Sequence, residues 1–381
     1  MNHKILFFGT HPLQFNGYAK VVYELTRRIH GHGGFEMGIF GFQNFHSAFP
    51  GARGSDHRAS LPESVYVFDA WAHEEPKQQG FGLDLIPRAI DEFKPDLCIV
   101  FNDFSIVTEA LKRINRSAYP DMVIVYLDQV YLNQKKAYIE NLNKSADAVI
   151  VFTEFWKTTI IDQGLTLPTY VLEHGFDGVR YFPIAKDIAR TYLGLDQNDF
   201  LVLNLNRNQP RKRWDTCMKA WAEVVSRAPN SRMKLVIDLG INTCDGEGFG
   251  LCNFEHAALG IPQVVPRIGG FLDFFDDNNS TLVFPSIAYY VDSSRDSVGG
   301  EALMCSYTDF AIAIESYHND QNLRKTHGDS CRSTIPKKYD WDKLAEKLSV
   351  ILTKVLPNEK EEKKNKLLKE VARLQALLSD M

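Results

Sequence analysis

The chain lacks several patterns that would each decide its class early. No Gly-x-Gly-x-x-Gly follows the first apolar run. Lys4 to Phe8 instead leads into Gly9-Thr-His-Pro-Leu-Gln-Phe-Asn-Gly17, so the principal mark of a dinucleotide-dependent dehydrogenase is missing. The six cysteines, Cys98, Cys217, Cys244, Cys252, Cys305 and Cys331, form no Cys-x-x-Cys pair. That spacing offers no disulfide framework and points to a reducing cytosol. Cys98 sits inside an apolar run and reads as a small buried hydrophobe. No stretch approaches about 18 consecutive apolar residues, so no membrane span is expected, and Met1 to Phe8 lacks a leader pattern. Charge of one sign is also missing. A net charge of -5 leaves no electrostatic footprint for nucleic acid.

What is present is an ordinary globular composition, 44% hydrophobic and 24% charged over 381 residues, long enough for two domains. Strand-like runs recur at Lys4–Phe8, Glu36–Phe42, Val65–Asp69, Leu97–Phe101, Met122–Leu127, Ala148–Phe152 and Thr169–Leu172. Helical patterns separate several of them, with Val21, Val22, Leu25 and Ile29 on one face, then Leu85–Phe93 and Ser105–Ile114. Such alternation predicts a doubly wound parallel sheet with ligands beyond the strands' C-terminal ends. Those ends carry Gly9–Gly17, Asn102-Asp103, Asp128-Gln129 and Thr153-Glu154. After a polar stretch, Asp196 to Asp199, the β/α pattern restarts at Phe200–Leu205 and marks a second domain.

The most informative stretch runs from Cys244 to Pro262. Ile241–Cys244 predicts a strand; Gly246, Gly248 and Gly250 flank Glu247 and Phe249; a helix is expected from about Leu251 to Leu259, stopped by Gly260 and Pro262. Strand, glycine turn and helix start together offer free N–H groups and the positive end of a helix dipole to an anion. Glu255 falls roughly one turn up that helix. Two solvated glutamates at an unremarkable helix start are the plain alternative. The second domain also opens on a cationic cluster, Arg207-Asn-Gln-Pro-Arg211-Lys212-Arg213, which a solvated basic turn would equally explain.

Glu247-Gly-Phe-Gly-Leu…Glu255, with Gly260 and Pro262 behind it, resembles the E-x7-E segment of glycosyltransferase family 4. Members of that family are retaining GT-B enzymes that use nucleotide-diphosphate sugars. Leu172-Glu-His-Gly-Phe-Asp177 and Phe182-Pro183 resemble the family's domain junction, and Gly269-Gly270 its strand end beside the donor sugar, with Asp273 loosely in the place of a following acidic residue. The resemblance implies that Arg207 and Lys212 hold the diphosphate, although Arg213 stands where a glycine often follows the lysine. It further implies that Glu255 binds the ribose and Glu247 the transferred sugar. Gly248, Phe249, Gly250 and Leu251 line the donor, and Gly17 lets the first loop approach the phosphates from the opposite domain. Fixed cations there would favour the transition state, in which the leaving diphosphate gathers charge. The acceptor would belong to domain one, where Asp103 and Asp128 are candidates to orient the attacking hydroxyl; both are equally explained as strand-end caps.

The expected architecture is α/β, GT-B, with two Rossmann-like domains (1–185 and 186–338) facing a cleft, and a crossing helix and charged tail (339–381). The implied reaction is retaining transfer of a hexose to a hydroxyl of a glycan or glycoconjugate. GDP-mannose is the first donor expected and a UDP-hexose the second, on resemblance to mannosyl-transferring members and to transferases of large DNA viruses; a viral protein would work in the host cytoplasm. No cofactor and no metal are expected. Asp340 and Asp342 form the sole Asp-x-Asp considered for metal, and Asp at a helix start reads more simply as an N-cap. Another GT-B enzyme such as a nucleotide-sugar epimerase, or a non-catalytic nucleotide-sugar binder, is the alternative. Two expectations concern connections. Met233–Ile237 and Ile241 stand too close for a βαβ unit, so a strand–helix section is either lost or absent from the chain as numbered, and absence is the reading adopted. In the tail, Leu367, Val371, Leu374 and Leu378 form an apolar stripe expected to pack on domain one rather than dimerise, giving a monomer or weak dimer.

Overall fold

The computed structural model describes residues 3–32, 34–45, 60–77, 79–117, 119–229, 231–236 and 241–357. Its first half is a seven-stranded, all-parallel sheet ordered β3-β2-β1-β4-β5-β6-β7. The strands are β1 (His3–Thr10), β2 (Phe35–Phe42), β3 (Tyr66–Asp69), β4 (Leu97–Asp103), β5 (Met122–Asp128), β6 (Ala148–Val151) and β7 (Thr169–Val171). Helices α1 (Gly17–Ile29), α2 (Ala70–His73), α3 (Ile86–Phe93), α4 (Phe104–Leu111), α5 (Lys136–Ser145) and α6 (Glu154–Asp162) connect them. The central strands are apolar on both faces, as a sheet covered on both sides requires. Ile5 and Phe7 enter one core while Leu6 and Phe8 enter the other, all four fully buried. Each strand read from the sequence is present, within a few residues at its ends.

The second half is smaller. Helix α7 (Lys186–Tyr192) precedes β8 (Phe200–Leu203), α8 (Trp214–Arg227), β9 (Met233–Val236), α9 (Leu251–Ala258), β10 (Val264–Pro266) and β11 (Thr281–Val283). A hairpin of β12 (Pro285–Val291) and β13 (Gly300–Cys305) follows, then α10 (Tyr307–Asn319), α11 (Gln321–Lys338) and α12 (Trp341–Val355). Strands β8 and β9 pair in parallel, as do β10 and β11. Ile241 joins the two pairs, donating to Leu203 O at 2.7 Å and bridging Val264. Val236 and Ile241 thus lie on opposite sides of β8, both level with Leu203.

One expectation needs correction. Ile241–Cys244 is not a strand; Ile241 makes a single bridge and the chain then turns away. The cause is local. Asn242 Oδ1 accepts from Cys244 N at 3.0 Å, and Thr243 Oγ1 donates to the carbonyls of Lys212 and Arg213, so side chains replace the ladder partners. The hairpin β12–β13 was not read from the sequence at all. Residues 237–240 and the tail from 358, with its stripe of Leu367, Val371, Leu374 and Leu378, lie outside the described residues.

Helix α12 crosses back to the first sheet. Asp340 caps it through Asp342 N and Lys343 N, Arg28 of α1 binds Asp342 at 2.5 Å, and Lys347 reaches Glu173 at 2.7 Å. The Asp-x-Asp pair is therefore spent on a cap and an ion pair. Trp341 packs directly on Gly175, where no Cβ would fit.

Candidate functional site

A cleft of about 570 Å³ lies between the two halves, at the C-terminal ends of β1, β4 and β5. The glycine turn forms its floor. Gly246 lies flat against the Tyr131 ring and Gly248 against the Asp128 carboxylate, leaving no room for a Cβ at either. Gly250 has a φ of 84°, which its lack of a side chain permits. Trp156 of α6 donates its Nε1–H to Gly248 O at 2.8 Å, and Gly270 N donates to Glu247 O at 3.1 Å. The turn is thereby pinned from both domains.

Two helix N-termini open at this cleft. Helix α9 starts at Gly250 without any side-chain cap, while α1 starts at Gly17, capped by Asn16. Gly17 and Leu251 face one another across the domains, and a Cβ on Gly17 would come within 2.9 Å of the Leu251 side chain. Their dipoles favour an anion between them.

The cations gather beside that point. Lys212 is buried and ion-paired to Glu247 Oε2, with Arg211 at 3.6 Å from Oε1. Burial alone would push the Glu247 carboxyl up, but Lys212 and Arg211 overrule it and hold it below the usual range. Arg211 also donates to Gly246 O at 3.0 Å. Its guanidinium is destabilised by burial yet held firmly charged by Glu247 and Asp128. Arg207 is exposed at the cleft rim, and among the described residues no hydrogen bond or ion pair engages its guanidinium. Glu255 lies apart from the cleft lining: its Oε1 is ion-paired to Lys20 of α1, a link between the domains. Asp273 is likewise structural, accepting from Glu154 N at 2.7 Å and Phe155 N at 3.2 Å to cap α6.

From domain one, Asp103 and Asp128 stand side by side at the ends of paired strands. Asp103 caps α4 through Ser105 N and Ile106 N while lining the cleft. Asp128 accepts from Tyr18 Oη at 2.5 Å. Burial pushes its carboxyl up to about 6, against the pull of Tyr18 and Arg211. Phe249 is buried and stacks on His174 at 4.7 Å. Burial and nearby Lys20 depress the His174 imidazole to about 3, and neither ring nitrogen has a partner among the described residues.

Sequence reading missed several members of this site. Arg211 lay within the noted basic cluster, but spacing favoured its neighbours. Tyr18 and Trp156 carried no signal. Arg295, which lines the cleft from the β12–β13 connection, is fixed by both Asp245 oxygens, at 2.9 and 3.0 Å.

Comparisons with known proteins bear on the class and the fold. Residues 232–348 match the model of the family 4 glycosyltransferases in conflict systems. D-inositol 3-phosphate glycosyltransferase of Rhodococcus erythropolis is 39% identical over 67 residues, 18% of this chain and 15% of its own. A second such enzyme, from Catenulispora acidiphila, is 27% identical over 158 residues, 29% of this chain and 37% of its own. The chain thus spans less than half the length of the curated relatives it matches. Among solved structures, Thermosynechococcus elongatus sucrose-phosphate synthase superposes with a TM-score of 0.69 at 14% identity, covering 93% of this chain and 99% of that one. Anabaena HepE, in complex with UDP and glucose, gives 0.65 at 17% identity, covering 93% and 100%. The fold is GT-B. The two halves are its two Rossmann-like domains, and the cleft lies between them.

Proposed function

We propose that this protein is a glycosyltransferase of family 4 that moves a hexose from a nucleotide-diphosphate sugar to an acceptor hydroxyl. The observation that carries this reading is Arg207, an unengaged guanidinium at the rim of a cleft that already holds Arg211, Lys212 and two helix N-termini. Such a set suits a diphosphate whose negative charge grows as the sugar bond breaks. The matched family model and the two curated relatives support the same class.

In this reading Arg207, Arg211 and Lys212 bind the diphosphate, aided by the N-terminus of α9, which no side chain caps. Glu247 sits behind them, kept ionised by its two cations, and faces the transferred sugar. Its charge favours an oxocarbenium-like centre. Asp128, with Tyr18 donating to it, orients the attacking hydroxyl, and the leaving phosphate takes the proton, with retention of configuration. Glu255 meets the ribose if Lys20 shares its carboxylate. The cationic side chains do the work a metal would do elsewhere, and turnover that survives EDTA checks that part.

UDP-hexose is the donor we favour, because fold neighbours include HepE bound to UDP-glucose and to UDP; GDP-mannose is the second. Calorimetric titration of both donors decides between them. Failure to bind either would remove the reading.

A further inference from the structure

The two walls of the cleft differ in charge. The donor-domain wall carries Arg207, Arg211 and Lys212. Among the described residues, the domain-one wall contains no lysine or arginine, and its two charged groups are Asp103 and Asp128. These carboxylates sit on adjacent strands in register, each in the field of the other. The rest of that wall is neutral or apolar, with Phe81 and Phe101 among its rings and Gln43 and Asn102 among its amides.

The hairpin tip closes the same end without adding free charge. Arg295 is gripped by both oxygens of Asp245, donates to Tyr289 Oη at 2.9 Å and reaches Tyr131 and Asp296. Asp296 in turn accepts from Tyr131. The guanidinium is thus committed to carboxylates of its own domain. Glu301 accepts from Asn133 Nδ2 at 3.1 Å and its backbone pairs with Leu132; Lys135 donates to Ser293 at 2.8 Å. These contacts seat the tip residues Ser297 and Val298 against the cleft.

We propose that the acceptor is an uncharged polyhydroxylated molecule, bound between the Asp103/Asp128 wall, Phe81 and the hairpin tip, and that phosphorylated acceptors are rejected there. This inference rests on the transferase reading. Carboxylates accept hydrogen bonds from several hydroxyls, and an aromatic face suits the apolar side of a sugar ring. A phosphate placed beside two carboxylates, with Arg211 already committed to Glu247 and Asp128 and no lysine or arginine on the described part of that wall, is disfavoured on the order of a hundredfold even at a moderate dielectric.

The test pairs neutral polyols with their own phosphates: glucose with glucose 6-phosphate, mannose with mannose 6-phosphate, and myo-inositol with inositol 1-phosphate. Donor binding is measured first, then acceptor-stimulated release of the nucleoside diphosphate. Stimulation by neutral members, with kcat/KM at least tenfold above their phosphates, is expected. Asp103→Asn keeps the helix cap while removing the charge, so it should narrow that ratio several-fold through KM with an unchanged melting temperature. Preference for the phosphates, stimulation by neither panel, or a ratio unmoved in Asp103→Asn, each with donor binding intact, would overturn the inference alone. Loss of donor binding in the wild type would sink the transferase reading and this inference with it.

Discussion

Lys212 and Glu247 are both nearly out of water, and each makes the other tolerable. Lys212→Ala should therefore cost stability as well as binding, by about 2–4 kcal/mol, since Arg211 is left as the remaining neighbour of the carboxylate; urea unfolding measures it. His174 gives a prediction in pH. The unfolded imidazole takes a proton near 6.5 and the folded one not until about 3, so stability falls as pH drops below about 6.5, by about 2 kcal/mol at pH 5. His174→Phe, which also removes two unpartnered nitrogens, should flatten that acid limb in melting curves. Asp128 has the opposite sign. Its folded carboxyl titrates at about 6 against an ordinary 3.8, so its contribution is full below about 4 and lost as pH rises through 6, up to about 3 kcal/mol. Asp128→Asn should remove that fall while lowering turnover. At this scale the sequence was uneven. Glu247 and the basic cluster were visible because their spacing is local. Tyr18, Trp156 and Arg295 were not, because each acts on a partner more than 90 residues away or on another strand's end.

The glycine turn shows what an element can and cannot announce. Its helix was legible from Gly260 and Pro262 behind an apolar face, and α9 ends within a residue of that reading. The reasons for its glycines were not, since Tyr131 and Asp128 meet them from another domain. Trp156→Phe should free Gly248 O and cost about 1–3 kcal/mol in thermal stability, with a larger loss in kcat than in donor affinity. The hairpin β12–β13 escaped because much of it is exposed on both faces: Ser286, Ile287, Ala288 and Tyr290 are all solvent-facing, so no alternation of period two appears. Helix α11 was hidden for another reason, with Gly328 and Pro336 inside it. Gly328 is there because α9's end approaches it, at Gly260 O.

Across the whole molecule, the first sheet could be read almost strand by strand because its central strands are buried on both faces and therefore apolar throughout. In the second domain β8, β9 and the crossing helix were legible, but the link from β9 to Ile241 was not, since only residues 237–240 separate them. What joins the halves is a set of tertiary contacts that no local pattern foretells: Lys20 with Glu255, Trp156 with Gly248, Asp273 with the start of α6, and α12 against α1. These hold the cationic wall opposite the two carboxylates, and the central claim is that a nucleotide-diphosphate sugar occupies the space between. Arg207 tests it most directly, because its side chain is exposed and unengaged, so its removal should leave the fold intact. Calorimetric titration of UDP-glucose and GDP-mannose into the wild type and Arg207→Ala is the measurement. The account predicts that one donor binds and that the substitution weakens it about 10- to 100-fold, as loss of a charge-assisted phosphate contact should, with no change in melting temperature. Absence of binding by both donors, or equal affinity in Arg207→Ala, would contradict it.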